Sequence, residues 1–514
     1  MSGWSSGYVA DIGYTFGYYR ELAPVMFPFL SMLKGQHGPK GRLSYCELGC
    51  GQGFSMNILA AANPQIDFHA TDFNPSQIAG AQGMANAAGI PNVHFYDQSF
   101  AVFAHEMALP EKFDIISLHG IFSWISAENR AHIVDFIDRK LKPGGQVYIS
   151  YNCLPGWAGP SPMRKLMRMA GDATPGGTVQ KVDAGIRLVE KVMGANARYF
   201  QSQPALKDRV EKLKNHQKNY LAHEYLNSDW NLFYHSDVAD ELSAARLSFL
   251  GSAFPLDHVD AVNLTNDQQA VLNEAPDGAS RETLRDFMIN QQFRRDVFAR
   301  GTVPITLGEA QDLWLDSRFI LSTVRALVPK TVNGGLGEAN LQPEVYDPIL
   351  DAFAGALEKS GAVTLRQLFA DYPAVAALGW QRVQQAIVVL VGANHLQPCL
   401  PDAAGDSKRK QSTRRLNDVI MQRSRHSADL QFLTSPVTGA GVGVDRFQQL
   451  FLLARQTNAA DAVSFVWRTL DAIGQRIVKE GVPLDTEEKN RAELAERYAA
   501  FEQRLPILRA MGIA

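Results

Sequence analysis

The residues with the clearest chemical meaning form one short segment, in which a carboxylate precedes three glycines at alternate positions. Glu47 lies two residues ahead of Gly49, and Gly51 and Gly53 follow, with Gln52 between them. Glycine has no Cβ, so the backbone can turn sharply there and approach a ligand closely. A carboxylate beside such a turn can accept hydrogen bonds from the cationic end of that ligand. The segment therefore predicts a binding loop for a ligand that carries a positive charge.

The spacing of these glycines does not match the fingerprint of nicotinamide dinucleotide sites. That fingerprint has glycines at its first, third and sixth positions, and the sixth position here is Phe54. The ammonium group of a methionine moiety, as in S-adenosylmethionine, is a cation that Glu47 could bind. Glycines also mark plain strand-to-helix turns, so the loop alone leaves a purely structural interpretation open.

Two further carboxylates follow predicted strands. Residues 66–71 predict a second strand and residues 93–96 a third, and ligands of open α/β sheets bind outside the carboxyl ends of such strands. The side chains found there are Asp72 and Phe73, then Asp97, Gln98 and Ser99. Asp72 can chelate two ribose hydroxyls, while Asp97 and the amide beside it suit the exocyclic amine and ring edge of adenine. We therefore predict an adenosine site across these strand ends.

The elements that must position these groups form an α/β pattern. Residues 113–118 and 146–150 predict a fourth and a fifth strand, and Ile133, Phe136 and Ile137 recur between them at helical spacing. Strands that alternate with helices over roughly 150 residues predict a parallel, doubly wound, Rossmann-like sheet.

Together these residues resemble the class I S-adenosylmethionine-dependent methyltransferases. The segment Glu47–Gly53 matches the first motif of that family, Asp72 its ribose acid, Asp97 its adenine acid and residues 141–145 the turn before its fifth strand. The resemblance implies S-adenosylmethionine as the cofactor and S-adenosylhomocysteine as the product. The cofactor-binding residues that we expect are Tyr14, Tyr18, Tyr19, Glu47, Gly49, Gly51, Gln52, Gly53, Asp72, Phe73, Asp97, Gln98, Ser99 and His119.

The tyrosines in this set belong to an aromatic segment before the first strand. Tyr14, Tyr18 and Tyr19 precede an apolar stretch at residues 25–33. Aromatic side chains at such spacing usually pack in a core, so one interpretation is a helix packed on the sheet. In the methyltransferases that the chain resembles, this segment often folds over the cofactor, which favours a lid near the methionine end. The two interpretations are compatible.

The catalytic candidates lie in the loops after strands four and five. Methyl transfer is an in-line displacement from an activated donor, so alignment contributes more than acid–base chemistry. Tyr151 and Asn152 directly follow the last apolar strand and are predicted to orient the acceptor by hydrogen bonds. His119 could contact the cofactor or accept a proton, or only structure a turn. A lysine acceptor would first have to lose its proton, which a dry pocket favours.

The rest of the chain is predicted to form three further domains, at residues 161–303, 304–402 and 403–514, after a cofactor domain at 1–160. Residues 178–223 predict a polar helical cap, 247–253 a strand and 284–300 an amphipathic helix. These segments resemble the methyltransferase regulatory domain, which accompanies the catalytic module in bacterial proteins such as the rickettsial-type protein lysine methyltransferases acting on outer-membrane proteins.

The third domain predicts a winged-helix-like module. Residues 349–360, 364–370 and 380–391 predict three short helices, and 395–400 a strand. The candidate third helix carries Arg382 as its only Lys or Arg, so we expect protein contact rather than nucleic-acid binding. The basic run at 407–415 predicts a solvated linker into a C-terminal helical domain.

Composition sets further limits. The 514 residues carry a formal net charge of −3, which does not favour a dedicated nucleic-acid binder. No apolar run approaches the ~18 residues of a membrane span, and no leader segment is recognisable. The four cysteines have neither disulfide nor metal-ligand spacing, so we expect no metal and a cytoplasmic location.

We therefore predict a methyltransferase that acts on a large acceptor, namely lysine side chains of a protein, and that could form a homodimer. The chain continues to residue 514, far beyond what a small metabolite requires. One alternative is methylation of a small molecule or natural product. A second is a partner-binding protein that holds S-adenosylmethionine or S-adenosylhomocysteine without catalysis.

Overall fold

A computed structural model describes residues 15–214, 216–401 and 406–514. Its first part alternates strands and helices, as the sequence predicts. The strands are β1 (Ser44–Leu48), β2 (Asp67–Thr71), β3 (Val93–Tyr96), β4 (Phe113–Leu118) and β5 (Leu141–Asn152). The helices are α1 (Met26–Leu33), α2 (Phe54–Ala62), α3 (Pro75–Ala88), α4 (Phe100–Phe103) and α5 (Ala127–Lys140).

These five strands pair in parallel and are buried, as in sheets covered by helices on both faces. Local chemistry sets the helix ends. The Asn74 side chain accepts the Ser76 N–H at the start of α3, and Gly89 ends that helix with φ +59°. Ser126 caps α5 in the same way through the N–H of Asn129.

A helical cap follows β5 and has a small apolar core of its own. The chain leaves the sheet at Cys153 and returns beside it at Phe233, where the Leu154 N–H donates to the Phe233 carbonyl and the Phe233 N–H to the Asn152 carbonyl. The cap helices are α6 (Ser161–Asp172), α7 (Thr178–Gly194), α8 (Arg198–Gln201), α9 (Ala205–Lys214) and α10 (Lys218–Tyr225).

The segment after the cap adds two strands to the same sheet, giving the strand order β3-β2-β1-β4-β5-β7-β6. Its elements are α11 (His235–Ser243), β6 (Ser248–Ser252), α12 (Asp260–Asn263), α13 (Asn266–Asn273), α14 (Gly278–Ile289) and β7 (Phe293–Ala299). The strand predicted at 247–253 is confirmed. The predicted domain boundary at residue 160 is wrong in one respect, since β6 and β7 belong to the cofactor-side sheet.

The amphipathic helix predicted at 284–300 is confirmed only as far as Ile289 and is wrong beyond it. The helix α14 ends at Ile289 because Asn290 adopts a left-handed conformation with φ +51°. The following residues form β7, which pairs antiparallel with β5 from Phe293 opposite Asn152 to Ala299 opposite Gln146. This long-range pairing overrides the local helical pattern.

The next segment contains the three predicted helices and a small antiparallel sheet of order β11-β8-β12. Its elements are α15 (Leu307–Asp316), β8 (Arg318–Leu321), β9 (Thr331–Gly334), β10 (Gly337–Asn340), α16 (Pro343–Lys359), β11 (Val363–Thr364), α17 (Leu365–Asp371), α18 (Pro373–Ala376), α19 (Trp380–Gly392) and β12 (Leu396–Cys399). The winged-helix assignment itself stays a prediction.

The C-terminal segment packs against α2 and α3. It comprises α20 (Ser407–Arg423), β13 (Phe432–Ser435), β14 (Ala440–Gly443), α21 (Arg446–Gln456), α22 (Ala462–Asp471), β15 (Val478–Lys479), β16 (Val482–Pro483) and α23 (Glu487–Ala510). The solvated linker predicted at 407–415 is wrong, because this stretch is helical and buries Ser412 and Thr413. One apolar core runs from Tyr18 to Ile513. Within the described ranges, no helix has both the length and the apolarity of a membrane crossing.

Candidate active site

A cavity of about 520 Å³ lies at the carboxyl edge of the parallel strands, within the size range of small-molecule sites. Its wall follows the strand order across the sheet. The predicted residues that line it are Gln98 and Ser99 after β3, Asp72 and Phe73 after β2, Glu47, Gly49, Gly51 and Gln52 around the end of β1, His119 after β4, Asn152 at the end of β5, and Tyr19 from the N-terminal segment. The structure therefore brings together most of the set that the sequence predicts.

The glycine loop after β1 needs glycine for two different reasons. Gly49, Gly51 and Gly53 all have positive φ, in the left-handed region that favours glycine. A Cβ at Gly49 would lie 2.7 Å from the side chain of Ile121, on the cavity wall. Gly53 does not line the cavity, and a Cβ there would meet Ala81 at 2.5 Å. Gly53 thus serves the packing of α2 and not ligand contact, which corrects its predicted cofactor-binding role.

Asp72 ties the glycine loop to β2. Its Oδ2 atom accepts the Gly51 N–H at 3.0 Å, and its Oδ1 atom accepts the Asn74 N–H at 3.0 Å. Burial raises the pKa of Asp72, and these two hydrogen bonds counteract that rise. Each carboxylate oxygen has a second acceptor position, so the side chain can still bind a pair of hydroxyl groups in the cavity.

Glu47 provides the test of whether the cavity suits a cationic ligand. Its side chain is buried, and its Oε2 atom accepts no hydrogen bond from the described residues. Burial, with a smaller contribution from Asp72, raises the pKa of Glu47 to about 8. A buried carboxylate without a donor is unfavourable, and an ammonium group would supply both the donor and the charge. The residues present therefore fit S-adenosylmethionine, with its methionine end at Glu47 and its ribose at Asp72.

His119 and Tyr19 form a stacked pair beside this site. Their ring centroids are 3.5 Å apart with an interplanar angle of 28°, and the Nδ1 atom of His119 lies 2.8 Å from the Tyr148 hydroxyl. Burial and the nearby Arg295 lower the pKa of His119 to about 3. A pKa this low favours the neutral imidazole near pH 7.

The other two N-terminal tyrosines differ from Tyr19. Tyr18 does not line the cavity. It is buried against Phe432 with ring centroids 5.0 Å apart, so its predicted cofactor contact is replaced by a core position. Tyr14 lies outside the described residues. The core interpretation of the aromatic segment thus holds for Tyr18, and the lid interpretation agrees with the position of Tyr19.

Two predicted carboxyl-edge residues point elsewhere. Asp97 is exposed and does not line the cavity, where Gln98 and Ser99 take its place. Tyr151 is buried outside the cavity, where its hydroxyl donates to Asp296 at 2.7 Å. Successive side chains of a strand face opposite sides, so Asn152 can reach the cavity only if Tyr151 turns away. The predicted adenine contact of Asp97 and orienting contact of Tyr151 are therefore corrected.

The cap completes the wall with residues of α9 and α10, among which Arg209 and Tyr220 are not indicated by the sequence. Arg209 of α9 lies over the Trp157 ring, 4.1 Å from its centroid, and donates to the Gln292 side chain at 3.2 Å. Tyr220 and Glu224 of α10 face the same cavity. Because Gln292 directly precedes β7, these contacts place the cap over the β5–β7 side of the cavity, away from the adenosine side.

Glu224 is the carboxylate that α10 adds to the cavity wall, besides Glu47 and Asp72 at the strand ends. Burial raises the pKa of Glu224 to about 7, although Arg164 and Arg209 lower it. The sequence shows Glu224 only as one acid in a polar helix, and its neighbour Tyr225 is buried outside the cavity. Glu224 faces the cavity and Tyr225 does not, because adjacent residues of a helix point in different directions.

Comparison with known proteins agrees with this site. Residues 39–234 match the family described as a methyltransferase domain, and residues 217–300 match the family described as a predicted methyltransferase regulatory domain. The uncharacterized protein sll1526 of Synechocystis sp. is 40% identical over 514 residues, covering 99% of this chain and 100% of that protein. The uncharacterized protein RP789 of Rickettsia prowazekii is 26% identical over 330 residues, covering 63% of this chain and 58% of its own.

Among solved structures, PKMT2 from Rickettsia typhi in complex with AdoHcy superimposes with a TM-score of 0.68. The sequence identity is 17%, and the alignment covers 97% of this chain and 100% of that one. A similarity at this identity establishes the shared fold over nearly the whole length of both proteins.

The fold and the site together define a class I S-adenosylmethionine-dependent methyltransferase. Within that class, the chain belongs to the family whose members join the methyltransferase domain to a methyltransferase regulatory domain, and it shares this family over its full length with the Synechocystis protein.

Proposed function

We propose that this enzyme methylates lysine side chains of a protein. The observation that carries the proposal is the Glu224 carboxylate in a partly aromatic wall, with Tyr220 and Trp157 beside it, on the β5–β7 side of the cavity. A lysine side chain is a long apolar stem with a cationic end, so aromatic rings suit its stem and a carboxylate suits its ammonium group. The sequence resemblance to the rickettsial-type protein lysine methyltransferases, together with the fold shared with PKMT2 from Rickettsia typhi, supports the same acceptor.

When bound, the cofactor supplies a methyl group already activated by a sulfonium. The protein then has to hold both partners in line and keep water out. Glu47 holds the methionine ammonium group, and Asp72 holds the ribose hydroxyls. The stacked rings of Tyr19 and His119 cover the space between the cofactor and the acceptor side.

On the acceptor side, the enzyme has to remove a proton, because an ammonium group has no lone pair. Burial in the cavity lowers the pKa of a lysine amine by desolvation. Glu224, whose pKa burial raises to about 7, pairs with the incoming ammonium and accepts its proton. Asn152 orients the amine by hydrogen bonds, and its own position is fixed because its backbone N–H donates to the Ser123 hydroxyl at 2.9 Å.

The test uses purified enzyme, S-adenosylmethionine labelled on its methyl group and a soluble protein extract. Label on protein, assigned to lysine by mass spectrometry, is the expected result. The Glu224→Gln variant should lose roughly 10-fold or more of the lysine methylation rate and still bind S-adenosylhomocysteine normally. The matched control is Glu211→Gln, which removes an exposed carboxylate of the same cap.

Label confined to small metabolites would overturn the lysine proposal and favour the small-molecule alternative. Binding of S-adenosylhomocysteine without turnover on any acceptor would favour a non-catalytic partner protein. The four cysteines are unpaired, which supports a reducing, cytoplasmic setting as part of the proposal. A homodimer and the absence of nucleic-acid binding remain predictions, which light scattering and gel-shift measurements test.

A further inference from the structure

A second cavity, of about 530 Å³, lies between the end of α1, the β6–β7 segment and α19. It shares no lining residue with the cofactor cavity. Most of its wall comes from residues 249–296, inside the range that matches the regulatory domain. Its lining is strongly charged, and nothing in the methyl-transfer mechanism uses it.

One wall of this cavity holds an excess of carboxylates around one guanidinium group. Arg294 contacts Asp286 at 2.6 Å, Glu282 at 2.9 Å and Asp296 at 2.9 Å. Asp286 is 1% exposed, and its Oδ2 atom accepts no hydrogen bond from the described residues. A buried carboxylate oxygen without a donor is unfavourable, and the simplest remedy is a further cationic donor. The cluster therefore lacks one hydrogen-bond donor, at a residue that lines the cavity.

The neighbouring wall holds cations with loose partners. Arg281 lies 3.6 Å from Glu282 and 4.0 Å from Asp260, both beyond hydrogen-bond distance. Lys34 at the end of α1 also lines the cavity, and Glu282 and Asp260 act on its ammonium group through space and not through a hydrogen bond. These groups can bind an anion without breaking a strong native contact.

The two walls are adjacent on α14. Arg281 and Arg285 stand one helical turn apart, and so do Glu282 and Asp286, which gives a basic stripe beside an acidic stripe. Side chains on neighbouring stripes are separated by only a few ångströms, which matches two opposite charges within one small molecule. Three glutamines of α19, the helix in which Arg382 is the only cation, add polar groups to the opposite wall: Gln381, Gln384 and Gln385.

We propose that this second cavity binds a free α-amino acid, with its ammonium group at Asp286 and its carboxylate at Arg281 and Lys34. The carboxylate and ammonium of one α-amino acid satisfy the orphaned oxygen and the loosely held cations at once. The α19 glutamines then contact the ligand's side chain.

The site is connected to the cofactor cavity through β7. Phe293 lines the cofactor cavity, while Arg294, Arg295 and Asp296 line the second cavity. Arg295 pairs with Glu21 at 2.8 Å and also lowers the pKa of His119. Asp296 accepts the hydrogen bond from Tyr151, the residue before Asn152. A ligand that orders the start of β7 therefore changes the affinity of the cofactor cavity, and the coupling is reciprocal.

The test measures the melting temperature of the full chain with each of the twenty amino acids at about 10 mM, followed by calorimetric titration of those that raise it. At least one amino acid should bind with a Kd below about 1 mM. Arg281→Gln and Asp286→Asn should each weaken that binding roughly 10-fold or more. The matched control, Lys212→Gln, removes an exposed cation of the cap outside both cavities and should leave binding unchanged.

Chemically modified amino acids provide a second test, which does not require the Asp286→Asn variant to fold. The N-acetyl derivative and the methyl ester of the same amino acid lack one charge each, and both should fail to bind the unchanged enzyme. The affinity for S-adenosylhomocysteine should also change several-fold in the presence of the amino acid. These readouts are binding measurements, so they do not depend on the acceptor proposed above. No binding by any of the twenty, or equal binding by Arg281→Gln, would overturn the proposal.

Discussion

Glu47 destabilises the cofactor-free protein because it is buried and its Oε2 atom receives no hydrogen bond from the described residues. Burial raises the pKa of Glu47 from 4.5 to about 8, so the folded protein favours the protonated form. Stability from this group is fully present below pH 4.5 and is lost as the pH rises through 8. If Glu47 binds the ammonium group of the cofactor as proposed, bound cofactor should reverse the effect by stabilising the ionised form.

The first prediction concerns Glu47→Gln. Without cofactor at pH 8.5, the variant should be more stable than the unchanged protein by on the order of 2 kcal/mol, because an amide has no charge to bury. Its affinity for S-adenosylhomocysteine should fall roughly 10-fold or more, because a charge-assisted hydrogen bond is lost. Thermal melts across pH and calorimetric titration measure the two effects.

Glu128→Gln serves as the control for this prediction, since the Glu128 side chain is 85% exposed and lies outside the cavity. Neither its stability nor its cofactor affinity should change measurably. If Glu47→Gln bound the product as tightly as the unchanged enzyme, the assignment of Glu47 to the ammonium group would be wrong.

The second prediction concerns the pH dependence of methyl transfer. At saturating S-adenosylmethionine, kcat/KM for the protein acceptor should rise with pH through about 7, because only the ionised form of Glu224 accepts a proton and burial raises its pKa to about 7. His119 cannot produce this rise, since its pKa lies at about 3. The rise should disappear in Glu224→Gln and persist in Glu211→Gln.

At the scale of single residues, the sequence predicted which strand ends carry the site and most of the side chains that line it. Glu47 and Asp72 follow from the rule that ligands lie beyond strand ends. The predictions for Asp97 and Tyr151 were wrong because neighbouring residues of a strand face opposite sides, so an error of one residue selects the wrong side chain. From the sequence, Glu224 and Tyr225 could close the pocket or form a buried structural hydrogen-bond pair. Only the tertiary packing of α10 places Glu224 in the cavity wall and Tyr225 outside it.

Among the elements, β7 depends most on buried charge. Arg294 is buried and joins three carboxylates, two of which are almost fully buried. Removing one partner of such a cluster leaves the others uncompensated. The position of β7 is thus stabilised by its pairing with β5 and β6 and by the guanidinium group of Arg294.

The third prediction is that Arg294→Gln destabilises the protein by about 3 to 5 kcal/mol, because the remaining carboxylates lose their cation. Urea unfolding measures the change. Arg366→Gln is the matched control, since Arg366 also joins two carboxylates, Asp312 and Asp316, but its side chain is 52% exposed. Its effect should stay within about 1 kcal/mol. A similar small effect for Arg294→Gln would contradict the structural importance of the cluster.

The same element shows why periodicity misled the helix prediction at 284–300. Phe287, Val297 and Phe298 among arginines satisfy a helical period, and the left-handed turn at Asn290 is not visible in such a pattern. A strand that buries Arg294 and Asp296 lacks the plain alternation of a half-exposed strand. Only the partner strand, far away in sequence, identifies it.

At the scale of the whole molecule, the C-terminal segment acts as part of the cofactor domain. Every residue of α2 is buried, and α20 packs on both α2 and α3. The Asn63 side chain donates to the Gly439 carbonyl at 2.8 Å, and Arg415 donates to the Gly89 carbonyl at 2.9 Å. The four predicted domains are thus distinguishable in sequence but share one apolar core.

The fourth prediction follows from this shared core. A chain truncated after residue 402 should lose cooperative unfolding or melt more than about 10 °C lower, because the outer faces of α2 and α3 become exposed. Circular dichroism melts measure this. Supplying residues 406–514 as a separate chain should restore the melt, and a truncated protein as stable as the full chain would show that the segments are independent.

The chain leaves the sheet and returns to it at the same place, because Cys153 before the cap and Phe233 after it form a backbone β-bridge. The closure entropy of a loop grows only with the logarithm of its length, so residues 154–232 can be exchanged for a longer or shorter insert at little thermodynamic cost. Exchange of this one insertion during evolution could therefore change the acceptor side of the cavity. The strand ends that form the cofactor side would remain unchanged.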